Sequence, residues 1–227
     1  MFIDNDKGFL TKVLTFWDKL DPRQKELILN NTRNASFKKA QNIHNGEDDC
    51  VGVILVKKGE LRSYILSENG KDITLYRFSR GDICILSSSC MFEGVNFDIF
   101  VDAERDSEVL IIDSNAFDSI SKENIYAENF SLRKTVDRFS DVMVAMEEIL
   151  FYSIEKRLAN FLVNESYKIG KDTLSITHED IAKYIGSARE VVSRTLKSFE
   201  NKGIISLSRG KVKVEDKSKI EELLKAK

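Results

Sequence analysis

The sequence predicts an α+β chain in three parts: an N-terminal barrel or jelly roll of short strands, a long helix, and a C-terminal helix–turn–helix with a hairpin wing after it. Three observations carry this. Glycines at 46, 59, 70 and 81 punctuate the first part at intervals of 13, 11 and 11 residues, the rhythm of short strands joined by turns. Apolar residues recur at spacings of 4, 3, 4, 3 and 4 from Leu132 to Leu150, the period of a helical seam. Residues 177–202 read as a helix, a tight turn and a second helix.

Residues 9–20 form a short amphipathic stretch carrying Leu10, Val13, Leu14, Phe16, Trp17 and Leu20. Asp21-Pro22 then caps and starts a second helix through Leu29, with the chain's single proline at its first position. Short strands occupy residues 36–112. Val51, Val53 and Leu55 alternate, Glu68-Asn69-Gly70-Lys71 is a hairpin signal, and residues 73–78 and 109–112 are further strands. From Ala127 the period becomes helical. Leu132, Val136, Phe139, Met143, Met146 and Leu150 make an a/d seam of nearly three heptads. Such a seam suits either a two-chain coiled coil or a helix lying on its own domain. Phe151-Tyr152-Ser153 interrupts it, and Ile154, Leu158, Phe161 and Leu162 begin the last domain. The expected boundaries are 1–126, 127–152 and 153–227.

The last domain carries the chemistry. Thr177-His178-Glu179-Asp180 is a capping box, in which Thr caps a helix and the acid three residues on reaches back. Ile181, Ala182 and Ile185 give a short apolar face, Gly186 accepts the positive φ of a sharp turn, and Ser187 can cap the next helix. Val191, Val192, Thr195, Leu196 and Phe199 recur at helical spacing up to Lys202-Gly203. Arg189, Glu190, Ser193 and Arg194 share the other face. Arg can donate two hydrogen bonds to guanine O6/N7, and Glu can accept one from cytosine N4. A plain solvated charged face is the alternative. The segment after this helix favours a DNA reader: residues 204–214 read as a hairpin whose tip, Arg209 to Lys211, is basic and suits phosphates.

Length and composition narrow the class. At 227 residues with 42% hydrophobic content, the chain suits one or two globular domains. No apolar run approaches the roughly 20 residues of a membrane span. The acidic start, Met1-Phe2-Ile3-Asp4-Asn5-Asp6, lacks a signal-peptide pattern, so a cytoplasmic location is expected. Three Cys without zinc spacing fit a reducing compartment. The net charge of −2 conceals an asymmetry: from residue 151 onward there are 16 Lys and Arg against 11 Asp and Glu, a net +5, while the rest carries 19 against 26, a net −7. A basic reader joined to an acidic partner domain matches nucleic-acid binding. A jelly-roll metalloenzyme would need several ligands, yet the two histidines, His44 and His178, lie far apart in sequence. No nucleophile, P-loop or paired-carboxylate motif is present, so no enzyme is expected.

Gly186-Ser187-Ala188-Arg189-Glu190-Val191-Val192-Ser193-Arg194-Thr195-Leu196 resembles the recognition-helix motif of the bacterial Crp–Fnr regulators, the cyclic-AMP receptor protein, the fumarate–nitrate regulator and their relatives. Ile43-His44-Asn45-Gly46-Glu47, Lys58-Gly59-Glu60-Leu61 and Arg80-Gly81-Asp82-Ile83 resemble that family's cyclic-nucleotide-binding β-roll. The resemblance implies a cytoplasmic, homodimeric winged-helix transcription factor with a β-roll sensor, dimerised through its long helix. Double-stranded DNA and RNA polymerase are the implied partners, with no membrane. Thr177, His178, Arg209 and Lys211 match phosphate-contacting places, with Ser187 beside the reading helix, and a TGA-containing half-site is implied.

The resemblance fails at the cyclic-nucleotide pocket. Ile85-Leu86 stands where family members carry Gly-Glu, and Asn96-Phe97-Asp98 falls where they carry the Arg that meets the cyclic phosphate. A buried phosphate without a cation is costly, so cyclic AMP is not expected to bind in the usual way. Arg62 and Arg77 are the candidate substitutes. Ile83, Cys84, Ile85, Leu86, Ser87 and Cys90 mark an apolar candidate effector region that also suits plain core. Three cysteines fall short of a four-cysteine iron–sulfur site. No metal or cofactor is expected, and the effector stays unnamed. The alternatives are a thiol switch between Cys84 and Cys90, although buried Cys is usually a small hydrophobe, and a ligand-binding module acting on a protein partner.

Overall fold

The computed structural model describes residues 4–46, 51–85 and 98–225. Leu86, Ser87 and Cys90 of the candidate effector region lie outside the described residues, as do Asn96 and Phe97. The chain divides into two compact units, one of residues up to Lys71 together with Leu75–Val142, the other of Asp72–Thr74 and residues from Met143 onward.

The first unit opens with α1 (Asp4–Val13), a tight 3-10 turn (Trp17–Lys19) and α2 (Pro22–Asn30). The single amphipathic stretch expected over 9–20 is therefore two elements, because the chain turns after Val13 to bring Leu14 and Phe16 under the sheet. Asp21 caps α2 through a capping box with Gln24. Strands β1 (Thr32–Phe37), β2 (Asn42–Asn45), β3 (Val53–Lys58), β4 (Leu61–Leu66), β5 (Asp72–Phe78), β6 (Ile83–Cys84), β7 (Phe100–Ala103) and β8 (Ser107–Ile112) come next. They form two four-stranded sheets, ordered β1-β8-β3-β6 and β2-β7-β4-β5.

Alternation along β3 explains the layers. Successive side chains point to opposite faces, and Val53, Ile54, Leu55 and Val56 are all buried. Val53 and Leu55 share a core with Leu10, Ile28, Phe117 and Phe130 of the helices and with Leu14, just after α1. Ile54 and Val56 meet Leu61, Tyr76, Phe78 and Val101 of the other sheet. Of the sequence pattern Val51, Val53, Leu55, the last two share one face of a strand that is buried on both, whereas Val51 precedes β3 and packs with the other core. Between β3 and β4, Gly59 has a φ of +89°, and a Cβ there would lie 2.2 Å from Ser107 Oγ. Only glycine fits that conformation at that approach.

Two helices close this unit. The helix α3 (Ser114–Glu123) was not signalled by the sequence pattern; Asp113 caps it by accepting from Ala116 N at 3.1 Å. The long helix α4 runs from Ile125 to Phe151, two residues earlier than expected at its start. Ala127, Phe130 and Ser131 bury one side of it. Arg138 lays its guanidinium over the rings of Tyr76 and Phe78, at 5.3 and 5.4 Å from their centroids. Leu132, Val136, Phe139, Met143, Met146 and Leu150 are all exposed.

In the second unit, Ser153 caps α5 (Ile154–Ile169), accepting from Lys156 N at 3.2 Å. Next come β9 (Thr173–Ser175), α6 (His178–Tyr184), α7 (Arg189–Asn201), β10 (Ile205–Ser208), β11 (Lys211–Val214) and α8 (Lys217–Lys225). The hairpin β10–β11 is joined by β9 in a three-stranded sheet ordered β10-β11-β9. Leu158, Leu162, Leu174, Ile181, Val192, Leu196, Phe199 and Val212 form its core. Among the described residues, no helix is long and apolar enough to cross a membrane.

Candidate nucleic-acid interface

Local chemistry builds the reader. Thr177 Oγ1 accepts from Asp180 N at 3.1 Å, and Asp180 Oδ2 accepts from Thr177 N at 3.3 Å, the reciprocal capping expected of this motif. α6 ends at Tyr184 with Ile185 as its C-cap, and Gly186 turns the chain with a φ of +61°. Arg157 of α5 holds that turn: its Nη1 donates to Ile185 O at 2.8 Å and to Gly186 O at 3.4 Å. Ser187 does not cap the second helix. Ala188 takes the cap position, with no side-chain cap, and α7 starts one residue later than the sequence suggested. Ser187 instead stays in the turn, its backbone N–H donating to Ala182 O at 2.9 Å.

α7 buries Val192, Thr195, Leu196 and Phe199. Arg189, Glu190 and Arg194 project from its other side, exposed, and none of them makes a side-chain hydrogen bond or ion pair among the described residues. Glu190 and Arg194 stand at the i, i+4 spacing that ordinarily forms such a pair. Some charged residues elsewhere in this unit are paired. Lys197 meets Glu200 at 2.6 Å, Lys213 meets Glu215 at 2.8 Å and Lys217 meets Asp172 at 2.6 Å. The Lys197 hydrogen bond, and after it the N–H of Leu207, holds the Glu200 carboxyl below its ordinary value. Lys217 and Ser166 do the same for Asp172.

Ser193 is placed differently from its neighbours. Its Oγ lies 2.9 Å from Nδ1 of His178, the first residue of α6, so one hydrogen bond joins the two helices. His178, Thr177, Glu179, Arg189 and Lys211 line a groove of about 350 Å³ between the helix–turn–helix and the wing. Ile176 N donates to Gly210 O at 3.1 Å, tying the wing tip to the entry of α6. Glu200 Oε1 accepts from Leu207 N at 3.1 Å, tying β10 to α7. Arg209 and Lys211 are exposed at the tip.

Three parts of this surface had no sequence signal: Arg157, Glu200 and β9. The carbonyls that Arg157 meets lie 28 and 29 residues away. Glu200 is seven residues from its amide partner. A three-residue strand leaves too little pattern to recognise.

The candidate effector region is only partly described. Ile83, Cys84 and Ile85 are buried. Cys84 pairs with Ile54 in the sheet register and packs between the sheets with Tyr76. Burial pushes the Tyr76 hydroxyl well above its ordinary value. Arg62 is buried, with Nε 3.1 Å from Glu104 Oε1 and Nη2 3.9 Å from Asp102 Oδ2. Its guanidinium stacks 4.1 Å from the Tyr64 ring centroid. Arg77 Nη1 lies 3.3 Å from Glu60 Oε1. Both candidate phosphate partners thus already face carboxylates.

Comparison with known proteins agrees with this architecture. A Crp-like helix-turn-helix domain matches residues 156–223, and a cyclic nucleotide-binding domain matches residues 35–124. The anaerobic regulatory protein of Bacillus subtilis is 26% identical over 171 residues, covering 70% of this chain and 69% of that protein. Electron transport regulator A of Shewanella oneidensis is 27% identical over 191 residues, covering 77% and 72%. The crystal structure of a transcriptional regulator assigned to the crp/fnr family, from Eubacterium rectale, is 40% identical, with a TM-score of 0.91 over 95% of this chain and 100% of that one. A helix–turn–helix with a hairpin wing, preceded by a two-sheet β-roll and matched along the whole length of that structure, makes this chain a member of the Crp/Fnr family of helix-turn-helix transcriptional regulators, which are not enzymes.

Proposed function

We propose that the protein works as a homodimer that reads a palindrome with TGA-containing half-sites about one helical turn apart. The observation that carries this is the set Arg189, Glu190 and Arg194, exposed together and free of side-chain partners among the described residues. In a major groove, Arg189 and Arg194 have the donors for guanine and Glu190 the acceptor for cytosine. Thr177, His178, Arg209 and Lys211 flank them as phosphate contacts, with Ser187 in the adjoining turn. RNA polymerase is the further partner proposed for the DNA-bound dimer.

The seam of α4 supports the dimer. Six apolar side chains at heptad spacing are exposed along one helix, with Phe139 at 65% and Val136 at 64%. A lone chain gains nothing from such a stripe, whereas a second copy would bury it. The signal is proposed to enter the β-roll as something other than cyclic AMP held in the family's usual manner. Ile85-Leu86 and Asn96-Phe97-Asp98 offer no cation for a cyclic phosphate, and Arg62 and Arg77 are engaged by carboxylates.

The test is fluorescence anisotropy on a library of palindromes built around TGA-N-TCA, without cyclic AMP. Wild-type protein should select TGA half-sites. Arg194→Ala should lose about 1–3 kcal/mol on the selected site and relax preference at one base pair. Equal loss on every sequence would make Arg194 a phosphate contact instead.

A further inference from the structure

We infer that Ser193 does not read DNA itself but positions His178, whose Nε2 is the atom presented to a DNA phosphate. The inference rests on the proposed placement of α7 in a DNA groove. It starts from one hydrogen bond. Ser193 Oγ and His178 Nδ1 are 2.9 Å apart, bridging the recognition helix and the helix before it. The sequence places Ser193 among the base-reading residues because it shares a face with Arg189, Glu190 and Arg194. Its hydroxyl, however, is engaged inside the protein, while those three charged groups are not.

The chemistry of the imidazole gives the pair its direction. A phosphate oxygen accepts hydrogen bonds and cannot donate them, so the ring nitrogen that meets it must carry a proton. A neutral ring has one N–H, and the partner of the other nitrogen decides which. A serine hydroxyl can donate to Nδ1 when that atom is bare and accept from it when it is protonated. When the hydroxyl donates to Nδ1 of a neutral ring, or accepts from Nδ1 of a charged one, Nε2 carries the proton that a phosphate oxygen needs. An alanine at position 193 would remove the hydrogen bond that holds the ring, and a carboxylate there would draw the proton to Nδ1. The ring is also oriented, because a half-buried His178 fixed at Nδ1 has one remaining polar edge, and it lines the groove that Arg189 and Lys211 also line. The other charged group lining that groove is Glu179.

The experiment is a double-mutant cycle on the selected palindrome: wild type, His178→Ala, Ser193→Ala and the double variant, with Ser193→Thr as the conservative rescue. Each single alanine should weaken binding by roughly tenfold, the scale of one hydrogen bond to a charged acceptor. The double variant should bind no more weakly than His178→Ala, because Ser193 acts through the ring. Ser193→Thr should restore most of the loss, and Ser193→Ala should leave the preference at every base pair unchanged. Replacing phosphates one at a time by methylphosphonate should find one linkage whose neutralisation costs wild type the same factor and His178→Ala nothing. A merely structural role for the pair would not produce that linkage. Loss of preference at a base pair in Ser193→Ala, or losses that multiply in the double variant, would overturn the inference and make Ser193 a reader in its own right. Arg194→Ala separates the two levels. If wild type selects no sequence and Arg194→Ala changes nothing, the placement of α7 has failed, and this inference with it.

Discussion

Arg157 stands outside the helix–turn–helix and yet sets its geometry. The turn leaves the carbonyls of Ile185 and Gly186 beyond the last bond of α6, and one guanidinium nitrogen meets both. Carbonyls left without partners cost about 1–3 kcal/mol when buried. Arg157→Leu should therefore lower stability by roughly that amount in chemical denaturation. Sequence-selective DNA binding should fall along with it, because α7 loses its angle to α6. Gly186 adds a second restraint. A Cβ there would sit 3.0 Å from Ile149 Cδ1 on a backbone already at positive φ, so Gly186→Ala should cost about 1–2 kcal/mol in the same measurement. The residues legible in the sequence were those whose partners are close along the chain. Thr177 and Asp180 are three apart, and their capping box could be read directly. Ser187 misled because the turn extends one residue further, to Ala188, a register that capping preferences alone do not resolve. His178 and Ser193 were each noticed, but a bond across 15 residues leaves no periodic trace.

Among the elements, α4 makes the most exposed demand. Its seam shows that a heptad pattern can be read from spacing even when nothing in one chain covers it. Phe139→Asp should leave a folded protein that sediments as a monomer and binds a palindrome far more weakly than wild type; an unchanged dimer in analytical ultracentrifugation would move the interface elsewhere. The wing depends on a weaker tie. Glu200 accepts from Leu207 N, and its carboxyl is held below its ordinary value first by Lys197. A depressed carboxylate stabilises the fold above its unfolded pKa and loses that contribution as the pH falls through its folded value. Exchange protection of the Leu207 amide should therefore persist at neutral pH and fade at acid pH, and Glu200→Gln should flatten that profile. Long or strongly punctuated elements were visible beforehand: the Asp21-Pro22 start of α2, the hairpin at Gly70, the reader and its wing. The short ones, α3 and β9, were not, since three to ten residues give too few turns of any period. β3 was seen on one face only, because its second buried face exists through packing against a sheet built from distant strands.

At the scale of the whole molecule, charge is partitioned. The part from residue 151 onward carries a net +5 and the remainder a net −7. The acidic part opposes indiscriminate adhesion to a polyanion, so phosphate contacts must be few and well placed. Lys211→Ala should weaken binding to all sequences alike and reduce the salt slope by about one unit. An unchanged slope would take the wing out of the interface. The three-part plan was legible from rhythm alone, whereas the signal that operates the β-roll was not, because the pocket residues that would name it depart from the pattern without substituting another. The unpaired state of Arg189, Glu190 and Arg194 has a kinetic side. Among the described residues, no side-chain hydrogen bond or ion pair of these groups has to break before the proposed contact with base edges. Capture of a site and of its near-misses should therefore proceed at similar speeds, and discrimination should reside in how long each complex lasts.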